Sequence, residues 1–178
     1  MSRSLAKMAV AVGLLAALAA PQAGATLGDS LVAGGGNIVI RFEGESAAFD
    51  SLISVNGSPE FFPNHATPIG TTLDLGFFAV GTPLDIVLHI LTTGDFFHTG
   101  PGTGNPDGLP HADVIYDFGG DIGRTFVGFE DLFGGGDFDY DDHRFSFTNV
   151  RAAVPEPATV ALLGLGLAGL AASRRRKQ

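Results

Sequence analysis

Six carboxylates fall within thirteen positions of one stretch, EDLFGGGDFDYDD, from Glu130 to Asp142. Glu130 and Asp131 open it, Gly134, Gly135 and Gly136 follow, and Asp137, Asp139, Asp141 and Asp142 close it. Adjacent carboxylates repel unless a cation neutralises them. Calcium takes roughly six to eight oxygen ligands at 2.3–2.6 Å in flexible geometry, so an oxygen-rich turn of this kind is a candidate calcium site. No single strand supplies such a set, because alternate side chains face opposite sides. Asp137 and Asp139 point one way, and Asp142 joins them only if the glycine-rich approach or a bulge re-aims the chain. Glu130 or Asp131 would close the site from the end of the preceding strand. Asn105 and Asp107 could add oxygens from a neighbouring hairpin, while Asp141 is either solvated or serves a second ion. The plain alternative is a solvated acidic turn with no ligand.

Two known calcium patterns do not fit. Asp137, Asp139 and Asp141 copy positions 1, 3 and 5 of an EF-hand loop, but Asp142 stands where glycine is needed and Thr148 where the closing glutamate is needed. The glycine–aspartate nonapeptide of calcium β-rolls must recur to stack, and this unit occurs once. Other chemistries find less support. His65, His89, His98, His111 and His143 are scattered without zinc-ligand spacing, and there is no cysteine. Ser58 in NGSPE lacks the G-x-S-x-G setting of a hydrolase nucleophile. A glycosidase needs only two carboxylates at a set separation, which leaves little trace in a sequence.

Both ends read as processing segments. Arg3 and Lys7 precede the uncharged run from Met8 to Ala20, and Ala23-Gly24-Ala25 fits the small-x-small cleavage rule. Residues 1–25 are therefore read as a secretory signal peptide cut after Ala25, with an uncleaved anchor as the alternative. At the other end Pro155-Glu156-Pro157 leads into an uncharged run from Ala158 to Ala172, followed by Arg174, Arg175, Arg176 and Lys177. Fifteen helical residues span roughly 22 Å. Snorkelling arginines would extend that reach across a bilayer core of about 30 Å. The basic cluster places the C-terminus in the cytoplasm. Gly164, Gly166 and Gly169 match a dinucleotide-binding pattern, but no strand precedes them and no ribose-binding acid follows.

Between the ends, residues 26–153 carry eighteen acidic side chains against Arg41, Arg124, Arg144 and Arg151, a net charge of −14. Such a domain disfavours nucleic acid and anionic surfaces and favours cations. Without cysteine it has no disulfide, and a bound metal would supply a cross-link. NIVIRFE places Ile38, Ile40 and Phe42 on one face and Val39 and Arg41 on the other, the period of a strand. TTLDLGFFAV, PLDIVLHILT, ADVIYDF, RTFVGFE and HRFSFTNV continue the pattern, with Gly, Pro, Asn and Asp between them. Seven or eight strands are expected, forming an all-β, antiparallel, jelly-roll-like sandwich around a phenylalanine-rich core. A signal helix would precede it and a C-terminal transmembrane helix follow it.

Two resemblances bear on this reading. NPDGLPHADVIYDFGG followed by FVGFEDLFGGGDFDYDDHRFSF resembles the DUF4114 family, through Asn105 to Gly108, His111-Ala112, Gly128 to Leu132, and Gly134 to Asp142. Asp141 departs from the asparagine often found there. This resemblance implies an exported calcium-binding β-domain and no reaction. The tail, residues 154–178, resembles the PEP-CTERM sorting signal of Gram-negative bacteria, in order as well as composition. That resemblance implies transient anchoring in the inner membrane, recognition by an exosortase, and a final place on the cell surface or in the extracellular matrix. Together they imply a calcium-binding structural or adhesive protein, not an enzyme, associated with exopolysaccharide and biofilm. A calcium-dependent carbohydrate-binding module is the first rival, and a surface hydrolase the second.

In a host with an exosortase, the exported protein is expected to lack residues 1–25 and everything beyond about Pro157. Intact-mass measurement checks this, and a mature chain that keeps its arginine tail would contradict it. Replacing Pro155 and Pro157 with alanine should hold the protein in the inner membrane.

Overall fold

The computed structural model describes residues 25–153, an all-β unit with antiparallel pairing throughout. The expected signal helix, the transmembrane helix, Ala23 and the sorting residues lie outside the described residues. Among the described residues no helix is long and apolar enough to cross a membrane.

Among the described residues twelve strands run in chain order: β1 (Ala25–Leu27), β2 (Leu31–Ala33), β3 (Gly36–Gly44), β4 (Ser51–Val55), β5 (Thr72–Phe78), β6 (Pro83–Leu84), β7 (Ile86–Ile90), β8 (Phe96–His98), β9 (Ala112–Ile115), β10 (Arg124–Phe129), β11 (His143–Thr148) and β12 (Val150–Ala152). They form a six-stranded sheet in the order β1-β9-β10-β11-β3-β5 and two three-stranded sheets, β12-β2-β6 and β4-β7-β8. The count exceeds the seven or eight expected because β1, β2, β6, β8 and β12 have only two or three residues. Such segments are too short to display a period of two.

β3 and β7 follow their side-chain alternation. Ile38, Ile40 and Phe42 of β3 are buried, and so are Ile86, Leu88 and Ile90 of β7. PLDIVLHILT breaks into β6 and β7 at Asp85, whose N–H donates to Asn56 Oδ1 at 2.7 Å instead of entering a ladder. One hydrophobic cluster draws on all three sheets, with Ile40, Val127 and Phe145 from the largest, Leu31, Leu84 and Val150 from β12-β2-β6, and Ile53, Leu88 and Phe97 from β4-β7-β8. Fully burying a large apolar side chain contributes about 1.5–3 kcal/mol, so this cluster is the main stabilising feature.

The phenylalanines divide between core and surface. Phe42, Phe62 and Phe145 lie within 6.3 Å of one another by ring centroid, and Phe97, Phe129 and Phe147 are also buried. Phe77, Phe96, Phe133 and Phe138 are exposed. Two of these, Phe133 and Phe138, lie on the acidic turn between β10 and β11.

Candidate metal centre

The antiparallel pair β10–β11 positions the acidic turn. Its register runs from Arg124 opposite Thr148 to Phe129 opposite His143, so residues 130–142 form the connection at one end of the pair. The connection folds back over β10. Gly128 permits this, because a β-carbon there would overlap the Tyr140 carbonyl. The Asp142 N–H donates to the Phe129 carbonyl at 3.2 Å and pins the returning chain.

Glu130 continues the β9–β10 ladder one step beyond β10. Its N–H donates to the His111 carbonyl at 3.0 Å, and His111 Nδ1 donates to the Glu130 carbonyl at 3.0 Å. These two bonds fix the Glu130 backbone and leave its side chain under the turn. Glu130 is 1% exposed. Oε1 accepts the Tyr140 N–H at 2.7 Å, but Oε2 is buried with no hydrogen-bond partner. Gly136, at φ 52°, makes room for that oxygen, since a β-carbon there would sit 2.6 Å from it. Burial pushes the Glu130 carboxyl above the ordinary range; the Tyr140 N–H opposes this, while the charges of Asp142, Asp137 and Asp139 add to it.

Carboxylate oxygens of Glu130, Asp137 and Asp139 all lie within 4.8 Å of one another, the one such group among the described residues. Two oxygens on one calcium are separated by at most about 5 Å, given its bond lengths. The donors are all oxygen, which suits calcium or magnesium and not zinc or copper. Asp137 and Asp139 are exposed, so the group is closed on the protein side and open to solvent on the other.

The remaining acidic residues of the turn are placed differently. The Asp131 N–H donates to Asp142 Oδ2 at 2.9 Å. The Asp131 carboxyl, 3% exposed, is raised by burial first and then by the neighbouring Asp142, with the Phe49 N–H opposing. Burial also raises Asp142. Asp141 lies 3.9 Å from Arg144 as a surface ion pair.

Asn105 and Asp107 come to this end of the molecule as hydrogen-bonding supports. Asn105 Oδ1 accepts the His98 N–H at 2.7 Å, and its amide donates to the Leu109 carbonyl at 2.8 Å. Asp107 Oδ1 accepts the Leu109 N–H at 3.0 Å. Asp107 Oδ2 accepts from His111 Nε2 at 2.7 Å and from the Gly134 N–H at 2.8 Å. Burial opposes ionisation of Asp107, but the bonds from Gly134, Leu109 and His111 outweigh it and hold the carboxyl at about 2. His111 is fully buried and stacks on Phe97 with ring centroids 3.6 Å apart. Both of its ring nitrogens face oxygen acceptors.

Ser51 and His143 are within hydrogen-bond reach at 2.9 Å. Both are buried, and burial, aided by the charge of His65, holds His143 down at about 3, too weak a base to activate a hydroxyl near neutral pH. His65, His89 and His98 pair with the surface carboxylates Asp50, Glu60 and Asp85.

Comparison with known proteins speaks to the tail. Residues 153–177 match the PEP-CTERM protein-sorting motif. A chain with this motif is an exported protein, anchored in the membrane at its C-terminus until an exosortase processes it. No curated protein and no solved structure matches the chain.

The Asp107 bridge has a pH signature. Its folded-state value, about 2 against an ordinary 3.8, means that its stabilisation is present above the ordinary value and lost as the pH falls through about 2. Asp107→Asn should cost about 1–3 kcal/mol at neutral pH. In urea titrations at several pH values, the gap from wild type should narrow between 3.8 and 2. A gap independent of pH would contradict the bridge.

Proposed function

We propose that residues 26–153 form a calcium-binding β-sandwich domain of a surface or matrix protein, delivered by the C-terminal sorting signal. The six-stranded sheet is read as one layer, packed through the phenylalanine-bearing core against the smaller sheets. The ion is held by Glu130, Asp137 and Asp139. The observation that carries the reading is Glu130 Oε2, a buried carboxylate oxygen with no hydrogen-bond partner beside two further carboxylates. Leaving such an atom unmatched costs about 1–3 kcal/mol or more. A cation in the group gives Oε2 a partner and removes the mutual repulsion of the three charges.

The role is structural. An ion that ties Glu130, at the end of β10, to Asp137 and Asp139 cross-links the turn in a domain without disulfides, as calcium does for many extracellular modules. This suits a component of the cell surface or of an exopolysaccharide matrix, where calcium is plentiful. No turnover is expected, because the buried Ser51–His143 contact is too weakly basic to generate a nucleophile.

Calcium at a hundredfold excess over its dissociation constant should stabilise the exported protein by about 2.7 kcal/mol. For a domain of this size that is a rise in Tm on the order of 10 °C. Thermal unfolding with calcium, with magnesium and with chelator at fixed ionic strength is the test. Asp137→Asn combined with Asp139→Asn should abolish the rise. A Tm that calcium does not lift above the magnesium control would defeat the proposal.

A further inference from the structure

The carboxylate group leaves much of an ion's coordination to be filled from outside. Three carboxylates give between three and six oxygens, depending on whether each binds through one or two, and calcium takes roughly six to eight. Glu130 closes the buried side, while Asp137 and Asp139 stand at the surface. Further ligands therefore approach from solvent, across whatever surrounds these two side chains.

Exposed apolar side chains share the turn with them. Phe138 lies between Asp137 and Asp139 in the chain and is 54% exposed. Its ring rests against Gly135 so closely that a β-carbon on Gly135 would overlap it. The Phe138 N–H donates to the Gly135 carbonyl at 3.1 Å, with φ of 62° at Phe138 itself, so the turn holds the ring against Gly135, next in the chain to Gly136, which lies against Glu130 Oε2. Phe133 and Leu132 are also exposed on this turn. An ion with open coordination next to a braced aromatic ring matches a ligand with two features: paired neutral oxygens, and an apolar face adjoining them.

Building on the calcium reading, we propose that this end of the domain is a glycan-binding site. Two vicinal hydroxyls of one sugar complete the ion's coordination, and the C–H face of the same sugar packs on Phe138. Charge favours a neutral glycan over an anionic lipid surface. The domain's net charge of −14 repels such a surface, and one divalent ion offsets little of it. A neutral sugar meets no such barrier, and its hydroxyls are hard oxygen ligands of the kind calcium accepts.

The test passes the exported protein over agarose columns bearing mannose, fucose or galactose, in calcium, followed by chelator. Phosphatidylcholine–phosphatidylglycerol vesicles form a parallel arm. Retention on at least one sugar, released by chelator, is expected. Phe138→Ala should weaken it by about tenfold. Phe138→Tyr should restore it, and both variants should keep the calcium-induced rise in Tm. Four results would overturn the inference while sparing the ion site: no retention on any sugar despite a normal rise in Tm, retention that survives chelator, retention indifferent to Phe138→Ala, or calcium-dependent sedimentation with the vesicles instead. Absence of the rise in Tm in wild type would instead remove the ion site beneath it.

Discussion

A carboxylate cannot be buried, charged and unpartnered at once without a large cost, and among the described residues this chain meets that constraint at Glu130 Oε2 and at Asp131 Oδ2. The cost can be met in two ways: the group takes up a proton, or a cation joins it. Burial and the charges of Asp142, Asp137 and Asp139 all raise the proton affinity of Glu130, and the same charges raise its cation affinity. A proton satisfies Glu130 alone. A divalent ion would also relieve the repulsion between Asp137 and Asp139, which is the ground for the calcium proposal.

The rest of this end of the domain holds that carboxylate in place. Glu130 is fixed through its backbone by His111, and His111 is fixed by Asp107 and by stacking on Phe97 of β8. Asp107 reaches the other way, to the Gly134 N–H at the start of the glycine run. The β8–β9 connection, the end of β10 and the acidic turn are thus joined through two buried side chains. Through Phe97 this chain of contacts reaches the β4-β7-β8 sheet.

Where burial alternates along a strand, the sequence was legible: β3 and β7 follow their apolar periods residue by residue. It was less so where a polar residue takes an inward position. In SLISV, β4, the buried set is Ser51, Ile53 and Val55, and Ser51 is buried because it bonds His143. That partner lies 92 residues away, beyond the reach of any local pattern. The acidic turn stood out by charge density alone, and the glycines that let it fold back were visible beside it. The division of labour among its oxygens was not. Asp107 has the chemistry of a ligand in the sequence, but in the fold its oxygens accept from Leu109, His111 and Gly134. Asp131 and Glu130 are neighbours in the chain, yet one pairs with Asp142 and the other faces Asp137 and Asp139.

Because the calcium proposal rests on Glu130 Oε2, the occupant of that oxygen is the decisive observation. Crystals of the exported protein soaked with terbium, a calcium mimic with a strong anomalous signal, would locate the ion directly. The account predicts an anomalous peak in contact with Glu130 Oε2 and with carboxylate oxygens of Asp137 and Asp139, at bond lengths of roughly 2.3–2.6 Å. A Glu130 that stays protonated and hydrogen-bonded to water or backbone, with terbium elsewhere on the surface or absent, would contradict it.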